Sequence, residues 1–258
     1  MRRMRHTKAR EWQGCDIAYD FSIPASLYDA TSGGSLVASG AAIARAEDQS
    51  GNAAHMTQST SGARPLRIVA AQNGLDAARF DGTDDYLTAG DVADLLGNPL
   101  EMMWLGKRTN SALIIGYFGK SRAAFGVGRW TLLSESGNHE AGHSADNAAA
   151  QAVATATGST SPVCLVANAA RVSGTATLTL RKNGSASSAT VTDSNTSVNS
   201  TDVVLIGAYQ DDTGASPLAG TFLNGDTYEC AKWSAAMTSH SRQRLEQSRL
   251  RKWGIASA

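Results

Sequence analysis

The sequence predicts an all-β fold, a two-sheet antiparallel β-sandwich that ends in a helix. Two observations predict the sheets: turn-forming residues recur about every ten residues, and the segments between them are apolar runs or alternate between apolar and polar residues. The third observation, which predicts the helix, is that the one clear helical pattern lies near the end of the chain. The 258 residues are 42% hydrophobic, which is enough for a buried core.

Strand signals are clearest in seven segments. Residues 175–181 alternate between apolar and polar side chains, so one face of this strand is apolar. Asn183-Gly184 follows, and this pair favours the two positive φ angles of a type I′ hairpin turn. The predicted strands are residues 113–118, 130–133, 163–167, 175–181, 186–192, 203–208 and 222–233.

The predicted helix covers residues 242–252. Ser239 or Ser241 can cap its first turn, and Gly254 stands where a left-handed C-terminal cap is expected. The apolar stripe of this helix is thin.

The chain divides into a short arm and one domain. Residues 1–12 are predicted to be a basic N-terminal arm, and residues 13–258 a single sandwich. The arm has almost no apolar content, and we expect it either to order against an acidic partner surface or to stay a solvated tail. Its anchoring cations are Arg2, Arg3, Arg5, Lys8 and Arg10.

The charge balance excludes some partners. The 23 basic residues match 23 acidic ones, so the net charge is zero and no long-range field attracts nucleic acid or an anionic membrane. No apolar run is long enough to cross a bilayer. We therefore expect neither nucleic acid nor membrane as a partner. Weak self-repulsion suits a chain that packs in an assembly.

The N-terminus and the cysteines indicate where the chain is made. The basic first residues are not followed by the apolar stretch of a secretory signal. Cys15, Cys164 and Cys230 have no spacing typical of a disulfide framework or a zinc site. We expect synthesis in a reducing cytoplasm without Sec export.

Three segments, taken in order, resemble a known family. They are residues 48–52 with Gln58 and Arg64-Pro65, residues 73–76 running into 79–87, and residues 222–229 followed by the helix with Lys252-Trp253-Gly254-Ile255. Their order is similar to that of the concanavalin A-like lectin/laminin-G domains of bacterial surface proteins and tailed-phage virion proteins. The resemblance covers residues 17–255 and implies a jelly-roll sandwich. It also implies that the C-terminal helix covers one end of the sandwich and buries Trp253.

The resemblance also implies a function. It favours a non-enzymatic phage virion protein, a capsid decoration or a tail or fibre component, located in the virion. Such a chain would be a homo-oligomer or part of a larger assembly with other virion proteins, and its loops would face host cell-surface glycans. The alternative of a different class is a stand-alone carbohydrate-binding lectin module, since a fold alone does not give a function.

One motif suggests catalysis. His139-Glu140-Ala141-Gly142-His143 matches H-E-x-x-H, which holds zinc in metalloproteases when both histidines share one face of a helix. Here a glycine lies inside the motif and turn-forming residues precede it. We expect a polar surface loop without catalytic residues, and a zinc metalloprotease is the alternative.

Glycoside hydrolysis is the second enzymatic alternative. Jelly-roll glucanases carry paired carboxylates in an E-x-D-x-E pattern on one strand face, and this sequence has no such pattern. Asp226 and Glu229 are three residues apart and are predicted to point to opposite faces of their strand.

Calcium is the one cofactor that the resemblance implies, bound by carboxylate and amide oxygens. The main candidates are Asp81, Asp84 and Asp85, and the alternative is that these residues only form turns. Further candidates are Asp48, Asn52, Asp226, Asp211 and Asp212.

An exposed aromatic side chain would indicate a glycan platform. The aromatic residues to test are Trp104, Tyr117, Trp130 and Tyr209, and the alternative for each is a place in the core.

Overall fold

The computed structural model describes Trp12 and residues 14–93, 100–109, 114–120, 129–144, 152–173, 175–192, 201–211, 216–235 and 237–258. Residues 1–11, which hold all five cations of the predicted arm, lie outside the described residues. In the described part of the chain, no helix is both long and apolar enough to cross a membrane.

The described residues form seventeen strands and one α-helix. The helix, α1, is Ser239–Trp253, and two 3-10 turns lie at Pro24–Ser26 and Ser61–Ala63. The strands are β1 Ile17–Asp20, β2 Leu27–Tyr28, β3 Arg45–Ala46, β4 Met56–Thr57, β5 Leu66–Gln72, β6 Leu75–Asp81, β7 Leu87–Gly90, β8 Leu100–Arg108, β9 Ile114–Lys120, β10 Arg129–Glu135, β11 Asn138–Ser144, β12 Ala152–Ala156, β13 Val163–Val172, β14 Thr175–Lys182, β15 Ser185–Thr192, β16 Val204–Ile206 and β17 Asn224–Trp233.

These strands form two antiparallel sheets, which confirms the predicted β-sandwich. Among the described residues one sheet has eight strands, in the order β15-β14-β13-β8-β17-β6-β5 with β1 also paired to β17. The other has nine, in the order β12-β11-β10-β9-β16-β7-β4-β3-β2. The hairpin between β14 and β15 turns at Asn183 and Gly184, whose φ angles of 51° and 101° match the predicted positive pair.

The main core lies between the two sheets and is built around aromatic rings. Trp104 of β8 stacks on Tyr117 of β9, with ring centroids 4.1 Å apart and planes 5° apart. Phe118 and Trp130 meet edge to face at 5.0 Å. All four side chains are buried, so the two sheets are joined by contacts from their middle strands.

Helix α1 lies on the outer face of the eight-stranded sheet and not over one end of the sandwich, so the predicted position was wrong. Leu250 and Trp253 pack there with a second apolar cluster from β8, β13 and β17. Trp253 is buried as predicted and stacks on Tyr228 at 4.5 Å. Five ion pairs among the described residues supplement this narrow apolar contact: Glu101–Arg242, Arg181–Glu246, Glu229–Arg249, Asp20–Lys252 and Glu229–Lys252.

The start of the helix differs from the prediction, and its end agrees with it. The N-cap is Thr238, whose side-chain oxygen accepts from the Ser241 backbone N–H at 3.1 Å, so neither predicted serine is the cap. Gly254 is the C-terminal cap with a φ of 61°, as expected for a left-handed position. The stripe is thin because the stripe residue Leu245 is only partly buried.

Trp12, at the predicted boundary between arm and domain, packs on the sandwich. Its side chain is buried, its ring lies under the Arg249 guanidinium at 4.5 Å, and its centroid is 6.4 Å from that of Trp233. Trp12 itself therefore packs with the sandwich. Cys15, Cys164 and Cys230 are buried and free.

Candidate functional site

A pocket of about 380 Å³ lies where β1 and β17 meet the loops that follow β3 and β7. It is lined by Asp16, Ile17, Asn52, Ala54, Val92, Ala93 and Ser234. We call it the end pocket. Its volume is at the small end of the range for ligand sites in proteins, which suits a ligand the size of one sugar ring.

The polar side of the end pocket is held by a buried lysine. Lys232 of β17 is fully buried, and its ammonium group contacts the Asp16 carboxylate and donates to the Ser234 hydroxyl at 2.6 Å. Ser234 in turn donates to Asp16 Oδ2 at 2.6 Å. Asp16 Oδ1 has no hydrogen-bond partner among the described residues. The carboxylate is thus fixed through one oxygen, and the other can accept from a ligand.

Asn52 is oriented by a second network. Its amide group donates to the backbone oxygens of Cys15 and Asp16, at 3.1 and 2.9 Å, which leaves its Oδ1 without a partner in the described part of the chain. The loop that carries it is closed by Asp48, whose carboxylate accepts from the backbone N–H groups of Ala18 and Ser50 and from the Ser50 hydroxyl. This preorganisation reduces the entropy cost of binding.

The other residues that line the end pocket are apolar. Ile17, Ala54, Val92 and Ala93 supply carbon surface next to the acceptors Asp16 and Asn52. A sugar ring combines C–H faces with hydroxyl donors, and both features have partners here. Two of the calcium candidates thus have other roles here. Asp48 holds the loop that carries Asn52 in place by hydrogen bonds, and Asn52 lines the pocket.

A second, larger concavity of about 580 Å³ lies between the edge strands β12 and β15. We call it the edge groove. Its walls are polar and small: Ser187 donates to the Thr155 carbonyl, and Lys182 donates to the Thr157 carbonyl at 2.7 Å. The lining includes Asn183, Ala186 and the tail at Ser257. Its lysine and one of its serines already donate to the protein, so fewer polar groups are left for a ligand than in the end pocket.

The H-E-x-x-H motif lies on a strand, so the predicted surface loop was wrong. β10 and β11 form a hairpin that turns at Ser136 and Gly137, with φ angles of 47° and 86°. In an extended strand the Cα atoms of residues four apart are separated by about 13 Å. The zinc motif depends on a helix that brings its two histidines one turn apart, and the strand backbone at residues 139 and 143 lacks that arrangement.

His139 has a structural environment. Its ring is buried, its Nε2 accepts from the Ser159 backbone N–H at 3.1 Å, and its Nδ1 lies 3.1 Å from the Tyr117 hydroxyl. Burial, helped by the positive charges of Arg108 and Lys182, lowers the pKa of His139 to about 3. The ring is therefore neutral near pH 7, with its proton on Nδ1, and both nitrogens are engaged by the protein.

The carboxylates considered for glycoside hydrolysis are paired with cations. A bulge in β17 shifts the register between Thr227 and Glu229, so Asp226 and Glu229 both lie on the outer face of the eight-stranded sheet. The prediction of opposite faces was wrong because the bulge adds a residue to the strand. Asp226 contacts Arg79 at 2.7 Å, and Glu229 contacts Arg249 at 2.8 Å.

The acidic turn after β6 brings the main calcium candidates together. Asp81, Asp84 and Asp85 each place a carboxylate oxygen within 4.8 Å of the others. Asp81 Oδ1 accepts from the Thr83 backbone N–H at 2.7 Å, and Asp85 Oδ2 accepts from the Asp81 N–H at 3.0 Å. These bonds are those of a turn former, and calcium binding stays a prediction. Asp226 lies elsewhere, the Asp211 backbone N–H donates to the Ser216 carbonyl at 2.8 Å, and Asp212 lies outside the described residues.

We predict that Asp85→Asn stabilises the protein at pH 7.5. Burial, helped by the charges of Asp81 and Asp84, raises the pKa of Asp85 from 3.8 to about 6. The folded state therefore holds this proton more tightly than the unfolded state, and wild-type stability falls as the pH rises from about 4 through 6. Asparagine keeps the acceptor and removes the charge, so we expect a gain of about 1 to 2 kcal/mol at pH 7.5 and none below pH 4.

Urea denaturation of both proteins at the two pH values measures this difference. The same pair tests calcium, because a bound ion would raise the wild-type melting temperature more than that of the variant. A variant that is less stable than wild type at pH 7.5 in EDTA would contradict the electrostatic account of Asp85.

The four aromatic residues proposed for a glycan platform are buried. Trp104, Tyr117 and Trp130 belong to the core between the sheets, and Tyr209 is 6% exposed. Among the described residues the exposed large hydrophobic side chains are all aliphatic: Leu36, Leu66, Val69 and Val172. The four proposed aromatic side chains are therefore not exposed for stacking on a sugar ring.

Sequence reasoning missed most of the end pocket. It named Asn52 only as a calcium candidate, and it named neither Asp16, Lys232 nor Ser234. One signal was available: Lys232 interrupts an otherwise apolar strand end, and a buried lysine in a strand needs a carboxylate partner. Asp16 lies more than 200 residues earlier, so only the pairing of β1 with β17 reveals that partner.

Comparison with known proteins identifies the fold class. No protein-family model and no curated protein matches the chain. A GH54 α-L-arabinofuranosidase soaked with a cyclic sulfate inhibitor is 13% identical over 90% of this chain and 62% of its own, with a TM-score of 0.55. The binding domain of botulinum neurotoxin serotype D is 11% identical over 92% of this chain and 51% of its own, with a TM-score of 0.53.

A second arabinofuranosidase, complexed with arabinofuranosyl-α-1,2-xylobiose, has a TM-score of 0.54 at 11% identity, over 90% of this chain and 61% of its own. The chain thus spans between half and two thirds of the length of these structures. At such identities the likeness shows a shared fold, the antiparallel β-sandwich, and nothing finer.

Proposed function

We propose that this chain is a non-catalytic carbohydrate-binding module that holds one sugar unit in the end pocket. The observation that carries the proposal is the fixed pair of acceptors, Asp16 Oδ1 and Asn52 Oδ1, on residues that line a pocket of about 380 Å³ together with apolar side chains. Hydroxyl groups of a sugar donate to these oxygens, and its C–H face packs on the wall around Ala54 and Val92. The similarity to folds of sugar-processing proteins supports the ligand class.

The non-catalytic half of the proposal has its own support. The two histidines of the zinc motif are separated along a strand, and His139 is engaged at both nitrogens. The carboxylates Asp226 and Glu229 are held by arginines. A hydrolase of the glucanase type needs one carboxyl group free to donate a proton and another free to attack or to activate water.

The first test is glycan binding by two matched variants. Ala54→Leu fills the end pocket, and Ala186→Leu adds the same three carbons to the edge groove. We expect the wild-type chain to bind members of an immobilised glycan panel, and we expect Ala54→Leu to weaken that binding at least tenfold while Ala186→Leu leaves it unchanged. Circular dichroism and thermal melting check that both variants are folded.

The opposite pattern would contradict the assignment. Loss in Ala186→Leu with full binding in Ala54→Leu would move the ligand to the edge groove. Binding to no glycan on the panel would remove the carbohydrate proposal itself. A third variant, Asn52→Ala, removes one of the two free acceptors without changing the charge, and we expect it to weaken binding about five- to twentyfold, the value of one to two lost hydrogen bonds.

The setting that we propose for this module is the virion of a tailed phage, as a capsid decoration or a tail or fibre component in an oligomer or larger assembly. This setting rests on the resemblance of residues 48–52, 73–87 and 222–229 to such proteins. Mass spectrometry of purified particles tests it. We expect the chain in particles and expect removal of residues 1–10 to abolish incorporation, whereas a chain found only outside particles would leave the stand-alone lectin.

A further inference from the structure

Three charged side chains form a row across neighbouring strands on the outer face of the eight-stranded sheet. Asp226 of β17 is paired in register with Arg79 of β6 on one side and with Lys107 of β8 on the other. Arg79 donates from Nε and Nη2 to the carboxylate at 2.7 and 3.1 Å, and Lys107 Nζ lies 3.3 Å from Asp226 Oδ2. Both cations therefore lean toward the strand between them.

Exposure within this row is asymmetric. The Asp226 side chain is 0% exposed, whereas that of Arg79 is 46% exposed and that of Lys107 is 28% exposed. The negative group is hidden between two positive groups that reach solvent. The ion pair beside α1 is different. There both the anion Glu229 and its cation Arg249 are buried, with the Arg249 side chain only 3% exposed.

The charges in the row do not cancel. Two cations share one carboxylate, and among the described residues neither has a second carboxylate within 4 Å. Asp81, the next acidic residue on the same face of β6, turns its Oδ1 into its own loop, to the N–H groups of Thr83 and Asp84. The row therefore presents one excess positive charge to solvent.

Several hydrogen-bond donors in the row also lack an acceptor among the described residues. Arg79 Nη1 and two of the three Lys107 N–H groups have no acceptor in the described part of the chain. The hydroxyl of Tyr228, two residues beyond Asp226, is buried and also lacks a hydrogen-bond partner there. Adjacent strands are about 4.8 Å apart, so the two cations start about 10 Å apart at their Cα atoms and converge above the carboxylate.

We propose that Arg79 and Lys107 form a binding site for an oxyanion, that is, a carboxylate, sulfate or phosphate group. A guanidinium and an ammonium that converge on one point with unused N–H groups suit such a ligand, since charge-assisted hydrogen bonds to oxyanions are about twice as strong as neutral ones. Asp226 orients both cations and cancels only half of their charge. The site is independent of the end pocket.

The test is a titration with sodium phosphate followed by the backbone amide signals of Arg79, Lys107 and Asp226 in ¹H–¹⁵N spectra, with sodium chloride keeping the ionic strength constant. We expect a saturable shift. Arg79→Gln and Lys107→Gln should each weaken binding at least tenfold. Asp226→Asn keeps the shape and raises the excess charge to two, so it should tighten binding at least fivefold. Arg244→Gln, an equal loss of charge on the exposed side of α1, is the control and should change nothing.

Shifts that grow linearly, or that change as much in Arg244→Gln as in Arg79→Gln, would overturn the proposal. Asp226→Asn guards the test against loss of binding by misfolding, because this variant is expected to bind phosphate more tightly. Weaker phosphate binding by a folded Asp226→Asn variant would also overturn the proposal. Titration with polygalacturonate, with neutral dextran as its control, shows whether the oxyanion belongs to a polymer or to a free ion. Tighter binding of polygalacturonate than of phosphate indicates a polymer-borne carboxylate, and the reverse order indicates free phosphate.

Discussion

Glu229→Leu is expected to lower the free energy of unfolding by about 3 to 5 kcal/mol, because it removes a buried carboxylate that two cations and an indole N–H contact beneath α1. Glu229 is fully buried beneath α1. Its Oε1 accepts from Lys252 Nζ at 2.5 Å and from Trp253 Nε1 at 2.8 Å, and its Oε2 lies 2.8 Å from Arg249 Nε. Burial and the nearby Asp20 raise the pKa of Glu229, and the two cations offset that rise.

A double variant separates the charge from the packing. Glu229→Leu combined with Arg249→Met removes both members of the pair, while Lys252 keeps its contact with Asp20 at 2.8 Å. Replacing a whole buried pair by apolar residues is often neutral, so we expect the double variant to recover most of the loss in urea denaturation. A double variant as unstable as the single one would show that Glu229 acts through something other than the buried charge.

Trp104→Ala is expected to cost about 3 to 5 kcal/mol, the usual range for truncating a buried tryptophan. Its ring is fully buried between the sheets, stacks on Tyr117 and donates from Nε1 to the Thr227 hydroxyl at 3.1 Å. Trp104→Phe keeps the stacking and loses that hydrogen bond, so we expect a loss of about 1 to 2 kcal/mol. Thermal and urea denaturation measure both values.

The same variants separate a core role from a binding role for Trp104. A side chain that is not exposed cannot touch a glycan, so a folded Trp104→Phe protein should bind the glycan panel like wild type. If Trp104→Phe keeps its melting temperature but loses glycan binding, the residue would be part of a ligand platform and its placement in the core would be contradicted.

Local signals in the sequence predicted the parts of the fold that depend on short-range order. The pattern of residues 175–192, with Asn183-Gly184 at the turn, predicted β14 and β15 with their hairpin, because alternation and two positive φ angles are local properties. Gly254 predicted the end of α1 for the same reason. The helix cap was misplaced by one residue because Thr238 is as good an acceptor as either neighbouring serine.

The errors arose where long-range pairing decides the outcome. Residues 134–138 contain several turn formers, yet only Ser136 and Gly137 turn, and the flanking residues are held in strands by pairing with β9 and β12. The bulge at Tyr228 depends on the register between β17 and β8, which no short motif records. The resemblance implied that helix α1 lies over one end, whereas ion pairs to Glu101, Arg181 and Glu229 hold it on the sheet face.

The most direct test of a sugar in the end pocket is a ¹H–¹⁵N titration with the tightest-binding sugar from the glycan panel. We expect saturable shifts confined to the Asn52 side-chain amide and to the backbone amides of Asp16, Ala54 and Ser234, with an affinity that agrees with the panel. Saturable shifts at Ser185 to Ser187 and Ser257, with the end pocket unchanged, would place the ligand in the edge groove and would contradict the proposed site.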